Sequence, residues 1–121
     1  MMKVYEYPAC STCKKALKFL ETRKIKFEKI PIVEKPPKLS ELKKMLEYLR
    51  EDGGDLKNLF NTSGVQYREL GIAQKLKEGM SEKDALALLA KNGKLIKRPF
   101  ILTDRWGVVG FKEERLKTLL S

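Results

Sequence analysis

The chain has 121 residues, 42% hydrophobic and 35% charged, with a formal net charge of +10. That length suits one domain, 1–121, and that balance suits a folded core under a polar surface rather than a disordered chain. The longest apolar run, Ala85 to Ala90, falls far short of the roughly 20 residues a membrane-spanning helix needs. The charge leaves an anionic partner or substrate open, but the cations are scattered and alternate with glutamates in many segments, with no concentrated basic stripe, so no direct nucleic-acid partner is expected.

Met1 to Tyr7 alternates polar and apolar residues and runs into Pro8. It lacks the apolar centre of a signal peptide, so a cytoplasmic location is expected. Lys3 to Tyr7 reads as a strand, and the period changes at once afterwards. From Ser11 to Lys24, Cys13, Ala16, Leu17 and Leu20 recur at helical spacing on one face. Phe27 to Val33 reads as a second strand, broken by Pro36-Pro37. Strand, helix and strand in this order predict a βαβ unit with parallel strands.

Leu39, Leu42, Leu46 and Leu49 line a further predicted helix that stops at Asp52-Gly53-Gly54-Asp55. It opens a helical insertion over about 38–93. Within it, Leu59-Phe60 reads as a short buried hinge and Gln66 to Leu70 as a short helix ended by Gly71. Ser81 to Asp84 resembles a capping box for a helix over Ala85 to Ala90, with Gly93 closing its end. After Pro99, Phe100-Ile101-Leu102 and Val108 to Phe111 flank the turn Asp104-Arg105-Trp106-Gly107 as a hairpin. Lys112 to Leu120 closes the chain as an amphipathic helix. The expected fold is α/β: a thioredoxin-like mixed four-stranded sheet with helices on both faces.

Cys10 and Cys13 are the only two cysteines, and there is no histidine. Disulfide scaffolds spread their cysteines along the chain, and structural zinc needs more ligands than these two, so no metal is expected and redox chemistry is. Cys10 falls in the loop after the first strand, where the amides and dipole of the following helix favour an anion. A cysteine so placed drops below its free pKa of about 8.5. Lys14 and Lys15 are expected to add to that field, and the Ser11 and Thr12 amides to hold substrate. Cys13, one turn on, is placed to attack a mixed disulfide on Cys10 and close a Cys10–Cys13 redox disulfide. The competing reading of Cys13 is a small core residue. Arg98-Pro99 opens the third strand. Proline there is expected to be cis and to face the cysteine loop, leaving the neighbouring backbone free for substrate. Arg98 would stabilise a thiolate or hold an oxyanion through paired hydrogen bonds.

Tyr7 to Ala16, Phe60-Asn61-Thr62-Ser63-Gly64, Tyr67-Arg68-Glu69-Leu70-Gly71, Leu95 to Pro99 and Val109-Gly110-Phe111 together resemble the arsenate reductase/Spx family over essentially the whole chain. The resemblance implies a thioredoxin-like domain with a helical insertion, a nucleophile at Cys10 and an oxyanion-holding arginine at Arg98. Asn61 stands where a second such arginine falls, and none occurs near Val108 to Phe111 to match a third. The resemblance therefore implies a thiol–disulfide oxidoreductase with no bound cofactor, reset by glutathione, glutaredoxin or thioredoxin. Its substrate would be a protein disulfide, glutathione or a small oxyanion, and the chain is expected to be a monomer. Two other activities occur in the family: true arsenate reduction, and redox-sensing transcription regulation through the RNA polymerase α-subunit, as in Spx-type regulators.

Overall fold

The computed structural model describes residues 2–121. Strand β1 (Met2–Glu6) runs into helix α1 (Ser11–Thr22) and returns as β2 (Phe27–Pro31). Helix α1 ends where Lys24 turns left-handed, at φ +57, and the Ile25 amide donates to the Leu20 carbonyl at 3.0 Å. That six-to-one bond satisfies a carbonyl the helix would otherwise leave open. Helix α2 (Leu39–Glu51) ends the same way. Gly53 turns left-handed and the Gly54 amide donates to Leu49 at 2.7 Å.

The insertion continues through a 3₁₀ turn (Leu56–Leu59), α3 (Val65–Glu69), α4 (Ile72–Lys77), α5 (Glu82–Lys91) and a second 3₁₀ turn (Gly93–Leu95). The hairpin β3 (Phe100–Leu102) and β4 (Gly107–Val109) and helix α6 (Glu113–Leu120) complete the fold. In the sheet the strand order is β2-β1-β3-β4, with β1 parallel to β2 and antiparallel to β3, and β3 antiparallel to β4. This is the expected thioredoxin-like arrangement.

Strand alternation divides the core in two. Met2 and Val4 pack with Leu20 of α1, Leu116 of α6, Ile101 and Val108 on one face. On the other, Tyr5 joins Leu42, Met45, Leu46 and Leu49 of α2 and the buried side chains of the insertion. Glu41 clamps that second face. Its carboxylate accepts from Tyr5 Oη at 2.7 Å, Lys3 Nζ at 3.0 Å and the Lys38 amide at 2.9 Å, the last being the returning half of a capping box.

Three expectations change. Leu39 is 42% exposed, because the apolar stripe of α2 is continued by Met45 instead. Gly71 ends α3 and at once opens α4, a helix not anticipated, because its left-handed backbone at φ +62 suits both roles. Gly93 does not close α5 by a left-handed turn. It is buried where any Cβ would strike the carbonyl of Ile32, so glycine is required there by contact between two backbones. Ser81 does cap α5, accepting the Asp84 amide at 3.1 Å.

Candidate active site

Cys10 is the N-cap of α1. Its backbone is extended, its amide donates to the Tyr7 carbonyl at 3.0 Å, and its Sγ accepts the Cys13 amide at 3.3 Å. The helix needs an acceptor at this position to satisfy a first-turn amide, and a sulfur does so best as the thiolate. Burial pushes the Cys10 thiol up. The hydrogen bonds from the Cys13 thiol and amide, with the charge and a hydrogen bond of Arg98, outweigh it and hold Cys10 below its ordinary value. Arg98 is the cation acting on the sulfur, while Lys14 and Lys15 stand exposed.

Cys13, one turn along on the buried face of α1, is 1% exposed. Burial, and then the neighbouring Cys10, push its thiol up to about 12. The two sulfurs are thus shifted in opposite directions by one helix turn, and both thiols are free in this structure.

The Arg98–Pro99 peptide is cis, as expected. Arg98 is oriented by stacking: its guanidinium carbon lies 4.7 Å from the Tyr7 ring centroid, and Nη1 donates to the Lys94 carbonyl at 3.3 Å. Pairing of β1 with β3 brings Tyr7 beside Arg98, and the insertion anchors the residues that lead to it. Phe60 bridges Ile96, the Asn61 amide donates to the Leu95 carbonyl at 2.7 Å, and the Lys97 amide donates to Leu59 at 2.8 Å. That short ladder carries Asn61 and Ser63 to the same place as Arg98.

The result is a cleft of about 530 Å³ over Cys10, whose walls include Ser11, Thr12, Asn61, Lys97, Arg98 and Lys112. Cys10, Ser11, Thr12 and Arg98 therefore meet as the sequence predicts. Pro99 does not line the cleft. It is buried, and its own carbonyl accepts the Gly110 amide at 2.9 Å.

Sequence reasoning missed Tyr7 as the shelf for Arg98, and Lys97 and Lys112 as cations in the cleft. Tyr7 continues the side-chain alternation of Tyr5, which was the available signal. Lys112 carried none, since only the return of β4 brings it here. Glu6 was also missed. It lies at the end of β1, on the face of Val4 by alternation, and is buried with Oε2 lacking a hydrogen-bond partner.

The ArsC family model matches residues 5–119. The chain belongs to the ArsC family. Among family relatives, the Bacillus subtilis (strain 168) protein named Uncharacterized protein YusI is 47% identical over 113 residues, covering 93% of this chain and 92% of that one. Global transcriptional regulator Spx 1 of Oceanobacillus iheyensis is 30% identical over 120 residues, covering 99% and 87%. The crystal structure of an ArsC family related protein from Bacteroides fragilis superposes with a TM-score of 0.88 at 44% identity, covering 98% and 96%. Among the described residues of this ArsC-family chain, no helix is long and apolar enough to cross a membrane.

Proposed function

We propose that this chain is a thiol–disulfide oxidoreductase in which Cys10 attacks and Cys13 resolves. The observation that carries the reading is the Cys10 sulfur at the N-cap of α1, accepting the amide of a Cys13 buried one turn behind it. The Cys10 thiolate attacks one sulfur of a substrate disulfide, forming a mixed disulfide and expelling the other half as a thiolate. Cys13 then loses its proton and attacks Cys10 Sγ, releasing the second substrate thiolate and closing the Cys10–Cys13 disulfide. Two electrons pass from the cysteine pair to the substrate.

Charge times these steps. Part of what holds the proton on Cys13 is the neighbouring Cys10. Once Cys10 is bonded to substrate it carries no negative charge, so Cys13 ionises more readily when its attack is due. An external thiol, namely glutathione, glutaredoxin or thioredoxin, returns the pair to the dithiol by the reverse exchange. The cytoplasm keeps thiols reduced and suits this cycle. The reading is tested by the pH dependence of alkylation at each cysteine and by the reduction potential of the pair. An ordinary Cys10 in a chain that forms no internal disulfide would sink it.

A regulatory reading is favoured by the 30% identity to a protein named as a global transcriptional regulator. A third reading, arsenate reduction, draws on the family's name, with Arg98, Lys97 and Lys112 as the cations available to an oxyanion. Capture of RNA polymerase without disulfide turnover would establish the regulator. Arsenate-dependent oxidation of the cysteine pair would establish the arsenate reductase.

A further inference from the structure

The cleft over Cys10 continues past its far wall. Lys97, Val109 and Lys112 also line a second cleft, of about 370 Å³, which extends to Lys57 and to Gly54 in the turn after α2. Two clefts with a common wall form one trough from the Cys10 thiol to that turn. Lys97 is held at the junction, its side chain crossing Gly110 so closely that a Cβ there would lie 3.2 Å from Lys97 Cε.

The charge of the trough is one-sided. Among the described residues, Lys57, Lys97 and Lys112 make no ion pair, and the one carboxylate in the second cleft, Asp52, is taken by Arg115 of α6 at 3.1 Å. Elsewhere on the surface some cations do meet carboxylates, as Lys3 with Glu41, Arg50 with Asp55 and Glu82, and Lys117 with Glu113. Phe60, Leu49 and Val109 border the second cleft but are buried, so the cations dominate what it presents. An extended chain bearing carboxylates near its disulfide would meet those cations.

Building on the thiol–disulfide reading, we infer that the trough is the docking site for the polypeptide that carries the substrate disulfide, and that it selects acidic segments. Glutathione shares the carboxylate chemistry. A substrate confined to the first cleft, however, would make no use of Lys57 and the second.

The test uses three peptides of one length, each linked by a disulfide to mercaptoethanol, with glutamate, glutamine or lysine flanking the cysteine. The second-order rate constant for oxidation of the reduced full chain is measured for each, and for oxidised glutathione. The acidic peptide is expected to react about tenfold faster than the neutral one, from a few partly exposed charge pairs acting together, and the advantage should fade in high salt. Lys57→Glu should abolish the preference, while Lys83→Glu on α5, an equal change in net charge outside the trough, should retain it.

Equal rates for all three peptides would overturn the inference. A preference that Lys57→Glu leaves intact, or oxidised glutathione matching the acidic peptide with no dependence on Lys57, would do the same. Oxidation by none of the substrates would instead defeat the thiol–disulfide reading. An acidic peptide with serine in place of cysteine, titrated onto the chain, then reads docking alone: binding weakened by Lys57→Glu supports the trough, and no binding overturns it.

Discussion

The two faces of the sheet do different work. On the face of α1 and α6, a small apolar cluster is accompanied by two buried groups whose charged forms are costly there, the Cys13 thiol and the Glu6 carboxyl. On the face of α2 and the insertion, a larger apolar cluster is closed by the Glu41 clamp and by the backbone contact at Gly93. The first face holds reactive groups in place and the second supplies the rigidity that lets it. Arg98 connects them, because the insertion presents Asn61 and the Lys94 carbonyl while β1 leads into the Tyr7 shelf.

Changes on the reactive face should move chemistry more than stability, and changes on the packed face the reverse. The largest effect is expected at Cys10. Cys10→Ser should lower disulfide exchange about a thousandfold, since the nucleophile itself is lost, with the melting temperature little changed. Cys13→Ser should keep the first attack and accumulate a mixed disulfide on Cys10, visible as an adduct by mass spectrometry.

Gly93→Ala comes next. Its methyl must displace the Ile32 carbonyl at the end of β2, at a cost of about 3 kcal/mol in denaturant unfolding. Glu41→Gln should cost about 2 kcal/mol by weakening charge-assisted hydrogen bonds. Burial raises the Glu41 pKa, but the Lys38 amide, Tyr5 and Lys3 more than offset this and leave it below the ordinary 4.5. A carboxyl depressed on folding contributes stability that is fully present above its unfolded value and is lost as pH falls through the folded one. The wild-type chain should therefore lose this contribution in acid below pH 4.5, and Glu41→Gln should flatten that part of the stability profile.

Arg98→Met should be milder, because the helix-cap hydrogen bonds to Cys10 remain. The Cys10 pKa should rise and alkylation at neutral pH should slow about tenfold. Raising the pH should restore the rate, which separates lost ionisation from a damaged fold. The smallest effect is expected at Glu6. Glu6→Gln removes an ionisable group from a buried site and should stabilise the chain by about 1 kcal/mol. A loss of stability there would show that the carboxylate is held by the α1 face and break the proposed division of labour.

The strands and long helices were legible because their apolar periods are strong. The change of period at the cysteines places Cys10 at a helix start. The insertion was less legible. Ile72 to Lys77 is too short for its spacing to speak, and Gly93 looks in sequence like any glycine after a helix, whereas its reason is Ile32, a residue from another element. Pro99 precedes β3 as its place in the sequence suggests, but it is buried outside the cleft lining, with its carbonyl taken by the Gly110 amide from the far end of the hairpin.

Three features are local enough to be read from the order of residues: a thiol at a helix N-terminus, a second thiol one turn later on the apolar stripe, and an arginine before a strand-opening proline. Adjacent residues and helical spacing suffice for that, because an N-cap and a helix face are defined within a few positions of the chain. Which charge reaches the sulfur, and which cations share its cleft, depends on the folded chain, which selects Arg98 over Lys14 and Lys15. Electrostatic influence depends on distance and burial in space, and Arg98, Lys97 and Lys112 arrive only when the insertion and the hairpin have both folded back onto β1.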